Sequence, residues 1–200
     1  MRFYATGTFF TTIGDFCGIS EASVSRIVKE TSLEIAKLRP DYIYMPRNRE
    51  EIRSSFSGFH DSFGFPTIIG AIDCTHIKIS GQGPDGEIYR NRKQFFSINA
   101  QVIGSHDLKI QNVVARWPGS SHDSYIFNNS LIKTKMERGE HYPGVLLGDG
   151  GYKLETYLLT PFRNPETIQQ QDYNRIHIRT RNGIERLFGV WKRRFPCLVF

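Results

Sequence analysis

Three carboxylates in this chain occupy positions where a lone charge is hard to keep. Asp73 lies inside the β-branched run "IIGAIDCTHIKI", Asp149 closes the apolar run of "GVLLGDGGYKL", and Glu185 follows 36 positions later beside an apolar stripe. An unpaired carboxylate in such surroundings is costly, so each acid must be paired, hold a cation or sit at an open strand end. Oxygen-only clusters suit Mg2+ or Mn2+, and the lack of paired His and Cys spacings argues against zinc. Two such ions roughly 4 Å apart can activate a water or a 3'-hydroxyl and stabilise the leaving oxygen in phosphodiester cleavage.

The elements that must position these acids are legible from residue 65 onward. "IIGAIDCTHIKI" reads as a first strand and is followed by the Gly-rich loop "SGQGPDGEIYRNRK". "FFSINAQVIGS" and "KIQNVVARWPG" read as a hairpin turning at "HDL". A helical stretch, "HDSYIFNNSLIKTKMERG", precedes the strand that ends at Asp149. A late helix carries Ile184, Leu187, Phe188 and Trp191 at i, i+3, i+4 and i+7. Three strands, a helix, a strand and a late helix make an α/β fold of ribonuclease H-like order, a mixed sheet flanked by helices. His76, three residues after Asp73 on a strand, faces the other side and reads as structural.

Residues 1–40 read as a separate helical module. Phe9, Ile13 and Phe16, then Val24, Ile27 and Val28, recur at helical spacing on either side of Gly18. Ser20 is the expected N-cap of the second helix, and the pair has the form of a helix-turn-helix. In that motif the second helix enters the major groove, which brings Ser23, Ser25, Arg26 and Lys29 to DNA. A purely structural hairpin would show the same spacing. Residues 41–64 read as a connector with a short helix around Glu50 to Phe59.

Charge and composition narrow the partner. The net charge is +6, and the last fifty residues hold nine bases against four acids. Between Arg175 and Arg194 seven bases surround the single acid Glu185. Such density suits a polyanion, and a solvated helix face is the alternative. No apolar run reaches the roughly 18 residues of a membrane span, and the first ten residues lack a signal-peptide core, so a soluble intracellular chain is expected. Cys17, Cys74 and Cys197 are odd in number and far apart, which suggests neither a disulfide framework nor a CxxC site.

The ordered blocks "GAIDCTHI", "YRNRKQFFSINAQ", "WPGSSHDSYIF", "LLGDGGY" and "RNGIERLFGVWKRRF" resemble the PIF/Harbinger transposase family and the nucleases derived from it, which carry a DDE endonuclease domain. The resemblance runs from the helical module to about Phe195. It implies an endonuclease domain over 65–200 whose C-terminus is cut short relative to the family, a divalent metal, DNA as substrate and a location in the nucleus, with the cytoplasm as the alternative. It also implies a Myb/SANT-like partner protein and a homo-oligomer as candidate assemblies, and no membrane.

Carried over by position, Asp73, Asp149 and Glu185 are the catalytic, metal-binding triad. Asp123 is a fourth candidate ligand, with a helix cap as its other reading. Arg92 and Lys93, with neighbouring Asn91, are candidate phosphate contacts, as are Arg179, Arg186 and Lys192. The glycines after Asp149 either admit a bulky nucleic acid or form a turn. Two functions are compatible with these residues: a metal-dependent nuclease with strand-transfer capacity, or a domesticated DNA-binding protein that keeps the fold without cutting.

Overall fold

The computed structural model describes residues 2–80 and 86–199. Residues 81–85 of the expected Gly-rich loop lie outside them.

Five strands form one mixed sheet: β1 (Ile68–Lys78), β2 (Ser97–Gly104), β3 (Ile110–Pro118), β4 (Val145–Leu147) and β5 (Leu158–Leu159), in the order β3-β2-β1-β4-β5. The first three run antiparallel, and β4 and β5 run parallel to β1. A central strand covered on both faces needs apolar residues at every position, which is why β1 is a continuous apolar run rather than an alternating one. Ile68, Ile69 and Ile72 are fully buried.

On one face, α6 (Asp123–Asn128) and α7 (Leu131–Glu137) pack Phe127, Ile132 and Met136 onto Ile69, Ile72, Ile103 and Leu146. These two helices were expected as one. Ser130 divides them, because its hydroxyl accepts from the Lys133 N–H and so caps a new helix.

On the other face lie α5 (Arg49–Phe63) and α8 (Ile168–Arg194). The expected connector helix is longer than its sequence reading and packs onto the sheet. Phe59 is buried against Phe65, Ile68 and Leu147, and Asn48 caps the helix start by accepting from Glu51 N–H at 2.9 Å. α8 opens with a capping box formed by Thr167 and Gln170. Its Ile184 and Leu187 are buried against Ala71 and Val102, with Phe188 and Trp191 packed beside them, as the stripe predicts. A Cβ on Gly104 would fall 2.8 Å from Leu187 and 2.9 Å from Ile184, so a glycine there lets α8 lie close to β2. That close approach sets the height of Glu185 above the sheet.

The amino-terminal helices are α1 (Arg2–Thr6), α2 (Phe10–Cys17), α3 (Glu21–Lys37) and α4 (Arg39–Tyr42). Gly18 takes a left-handed conformation between α2 and α3, and the Ser20 hydroxyl accepts from Ser23 N–H at 3.2 Å. A Cβ on Gly14 would meet the Ile19 carbonyl oxygen at 2.6 Å, so the turn requires a residue without one. The expected apolar stripe is buried only at Val24. Phe9, Phe16 and Ile27 are 82%, 71% and 53% exposed, because α2 and α3 bury little beyond their own crossing point.

Candidate active site

Asp73 is placed by β1, whose pleat sends it to the α8 face together with Ala71. Its Oδ1 accepts from the Cys74 N–H at 2.8 Å. Its Oδ2 accepts from Arg181 Nη1 at 2.6 Å, and Nη2 of the same guanidinium donates to Glu185 Oε1 at 2.6 Å. Arg181 and Glu185 stand at i and i+4, one turn apart on α8 and on the same face. Asp73 and Arg181 are mostly buried, and Glu185 is about half exposed.

Asp149 follows β4 directly. The last hydrogen-bonded pair between β1 and β4 is Ala71 with Leu147; Asp73, still within β1, and Asp149, just past the end of β4, each lie two residues beyond it and so come level. This explains the lone charge within a glycine-rich run: Asp149 stands at a strand's open end. Gly151 N–H donates to its Oδ1 at 2.9 Å, so the following glycines form a turn that fixes the carboxylate. Tyr152 anchors that turn. It is buried against Phe127, and its hydroxyl meets Cys74 Sγ at 3.6 Å, tying the segment after β4 back to β1.

Burial pushes the Asp73 carboxyl up to about 6. The Cys74 N–H and the Arg181 guanidinium oppose that rise, while the charges of Asp149 and Asp123 add to it. Burial also pushes up the Cys74 thiol and the Tyr152 hydroxyl, which keeps both neutral.

Asp123 approaches from the opposite face. Its Oδ1 accepts from Asn99 Nδ2 at 2.9 Å, and Asn99 is paired across the strands with His76, which lies on the side away from Arg181. Asp123 is the first residue of α6, and the N-cap position belongs to His122, which makes no side-chain cap bond. The carboxylate therefore ties α6 to β2 rather than capping the helix. His76 reaches Ser97 Oγ at 3.0 Å, a structural contact on the face its spacing predicts.

The candidate DNA contacts differ in how free they are. Ser25, Arg26 and Lys29 are exposed on one side of α3, whereas the Ser23 hydroxyl is engaged with Ser20 at 2.9 Å in the cap. Arg92 and Lys93 are exposed, with Arg92 Nη2 2.6 Å from His122 Nδ1. Asn91 is buried and holds its own turn, accepting from Lys93 N–H and donating to Ser97 Oγ, so it is not free to reach phosphate. Arg179 and Arg186 are exposed on α8. Lys192 is half-buried and donates to the His76 carbonyl at 2.7 Å; burial and the nearby Lys93 charge hold its pKa down.

Arg181 is the residue the sequence reading passed over, grouped there with the basic run. The signal available was its position four residues before Glu185 on the same helix. Asn99 and Tyr152 had no such signal, because their roles depend on pairings between distant segments.

Among the described residues, no three His, Cys, Asp or Glu side chains lie close enough to hold an ion as they stand. The donor set still fits a hard divalent cation. It offers only carboxylate oxygens, and a positive group, the Arg181 guanidinium, already lies between two of the acids. Asp73 and Asp149 are partly buried and Glu185 is exposed, so the site opens on the α8 side. A cavity of about 490 Å³ lies elsewhere, bounded by residues 39–47, β3 and α7, and none of the four acids lines it. An open acidic edge flanked by exposed bases suits a polymer better than a small molecule.

The family described as DDE superfamily endonuclease matches residues 72–199. The rat protein named "Putative nuclease HARBI1" (Rattus norvegicus) is 35% identical over 198 residues, which is 99% of this chain and 57% of that protein. Its Homo sapiens counterpart is 33% identical over the same shares. "Protein ALP1-like" of Arabidopsis thaliana is 25% identical over 99% of this chain and 52% of its own length. The chain thus spans about half the length of the curated relatives it matches. No solved structure matches it.

Proposed function

Because the chain belongs to the DDE superfamily endonucleases, we propose that it cuts DNA at the edge formed by Asp73, Asp149 and Glu185, with Mg2+ or Mn2+ held among these carboxylates. The observation that carries the proposal is the register of β1 and β4, which brings Asp73 level with Asp149, while one guanidinium links Asp73 to Glu185.

The bound ions would supply activation of the attacking water or 3'-hydroxyl and neutralisation of the leaving oxygen. The chain's own residues hold the geometry. Asp73 is fixed by a central strand paired on both sides, and Asp149 by its own turn and by Tyr152. Arg179 and Arg186, on the exposed side of the same helix as Glu185, seat the DNA backbone by charge. Attack by water gives a cut, and attack by a 3'-hydroxyl gives strand transfer.

The finer features belong to the same reading. The α2–α3 pair is taken as a helix-turn-helix whose Ser25, Arg26 and Lys29 meet DNA, in a protein that works in the nucleus with a Myb/SANT-like partner or as a homo-oligomer. Asp123 is a candidate fourth ligand from the other face.

A second reading has one observation in its favour. Arg181 already neutralises Asp73 and Glu185, as it would in a DNA-binding protein that had lost the need for metal. A nicking assay on supercoiled DNA separates the two. Cleavage that requires Mg2+ or Mn2+ and disappears in Glu185→Gln supports the nuclease. Binding without cleavage in either ion supports the silent protein.

A further inference from the structure

The nuclease reading leaves one conflict in the site. The same carboxylate oxygens are asked to bind a cation and are already bound to Arg181. Asp73 Oδ2 and Glu185 Oε1 each lie 2.6 Å from a different nitrogen of this one guanidinium. The other oxygen of Asp73 is engaged by the Cys74 N–H. A guanidinium is planar and permanently charged, with a fork of donors that fits two acceptors at once, so it competes with a divalent ion for these atoms.

Two features show where Arg181 can go. Its side chain keeps about a fifth of its surface exposed, and its helix neighbour Glu185 is 54% exposed, so the bridge can be reached from solvent at its Glu185 end. Two other bases of the same helix, Arg179 and Arg186, are exposed, and their charge would draw a phosphate backbone towards α8. A DNA phosphate presents two anionic oxygens at a geometry the guanidinium fits as well as it fits a carboxylate.

Resting on the nuclease reading, we propose that Arg181 is a phosphate-binding gate: without DNA it closes the metal site by bridging Asp73 and Glu185, and a backbone phosphate draws it away and frees both acids for the ions. DNA and metal then bind cooperatively. Because such coupling is reciprocal, each raises the other's affinity by the same factor. The device holds the cutting centre idle until substrate is seated, and an idle centre still binds DNA.

The test measures metal binding directly, without reference to cleavage. Mn2+ is titrated into the protein and the free ion counted by electron paramagnetic resonance, with and without a short DNA duplex. The wild type should bind Mn2+ weakly alone and tenfold or more tightly with the duplex. Arg181→Gln should bind tightly without DNA and gain little when DNA is added. Arg138→Gln removes the same charge from an exposed position after α7, away from the acids and from the basic run of α8, and should behave as wild type, which separates the bridge from general electrostatics.

If Arg181→Gln binds Mn2+ no better than wild type without DNA, or shows the same gain on adding DNA, the gate is wrong. If Mn2+ binds none of the forms under either condition, the nuclease reading fails and the gate with it. Circular dichroism melts check folding. Should Arg181→Gln be unfolded, Arg181→Met takes its place: it keeps an apolar stem but carries neither charge nor donor, so its affinity without DNA should rise, and no rise overturns the gate.

Discussion

Asp149 and Asp123 lie in similar sequence surroundings, each beside small or polar residues, yet they reach the site differently. Asp149 is held at a strand end level with Asp73, while Asp123 lies under the sheet on Asn99. Replacing Asp149 by Asn removes charge without volume, so it should abolish Mg2+-dependent nicking while leaving DNA binding and the thermal melt nearly unchanged. Asp123→Asn should leave measurable nicking and lower stability by about 1 kcal/mol or less, since the new amide can still accept from Asn99. Nicking rates and melts of both variants check this, and wild-type cutting by the Asp149 variant would remove that residue from the site. Asp73 and Asp149 were legible because a charge in an apolar strand needs a reason, whatever the tertiary structure. Arg181 was not, because a base among bases has no such anomaly until its partner, 108 positions away, is known to face it.

Helices are stopped by local chemistry, and the local signals differ in how plainly they show in the sequence. Gly18 and Ser20 mark the turn and cap between α2 and α3 as expected, whereas Ser130 breaks a helical pattern whose periodicity runs straight through it. The exposure of Phe9 and Phe16 could not be read from spacing, since periodicity reports a shared face but not what lies against it. Gly14→Ala sets helix propensity against space. Alanine gains up to about 1 kcal/mol in a helix, but its Cβ would sit 2.6 Å from a backbone oxygen that has little room to yield. We expect a net loss of about 1–3 kcal/mol, seen as a lower melting temperature. His141 ties the segment before α5 to the loop before β4 through Nδ1 and the Pro46 carbonyl, at 3.1 Å. Burial holds its pKa below the ordinary histidine value, chiefly by desolvation. Below about pH 6.5 the unfolded chain takes up a proton that the folded chain resists, so stability falls as pH drops through that value towards the folded pKa. Melts across pH 7 to about 5 should show a shallower decline for His141→Gln than for wild type, the remaining slope including that of His177, which burial shifts the same way.

At the scale of the molecule, charge is divided between two regions. The α3 face carries Arg26 and Lys29, and α8 carries the denser basic run; on the proposed reading a long DNA would touch both. Replacing Arg26 and Lys29 by alanine should weaken binding and flatten its dependence on log salt by about two units, since each lost phosphate contact removes about one released counterion. An unchanged slope in a filter-binding or anisotropy titration would leave α2 and α3 as a structural hairpin. The parallel pairing of β1 with β4 has a further consequence. Asp73 and Asp149 are carried by strands running the same way, and with Glu185 overhead they face one edge. On the nuclease reading each chain would bring one such edge to the DNA, while the two strands of a duplex run in opposite directions. One encounter can process one strand. Supercoiled plasmid should pass first to open circles, with linear molecules arising later by a second event, and the lag between them should shorten as protein concentration rises if two chains act on opposite strands.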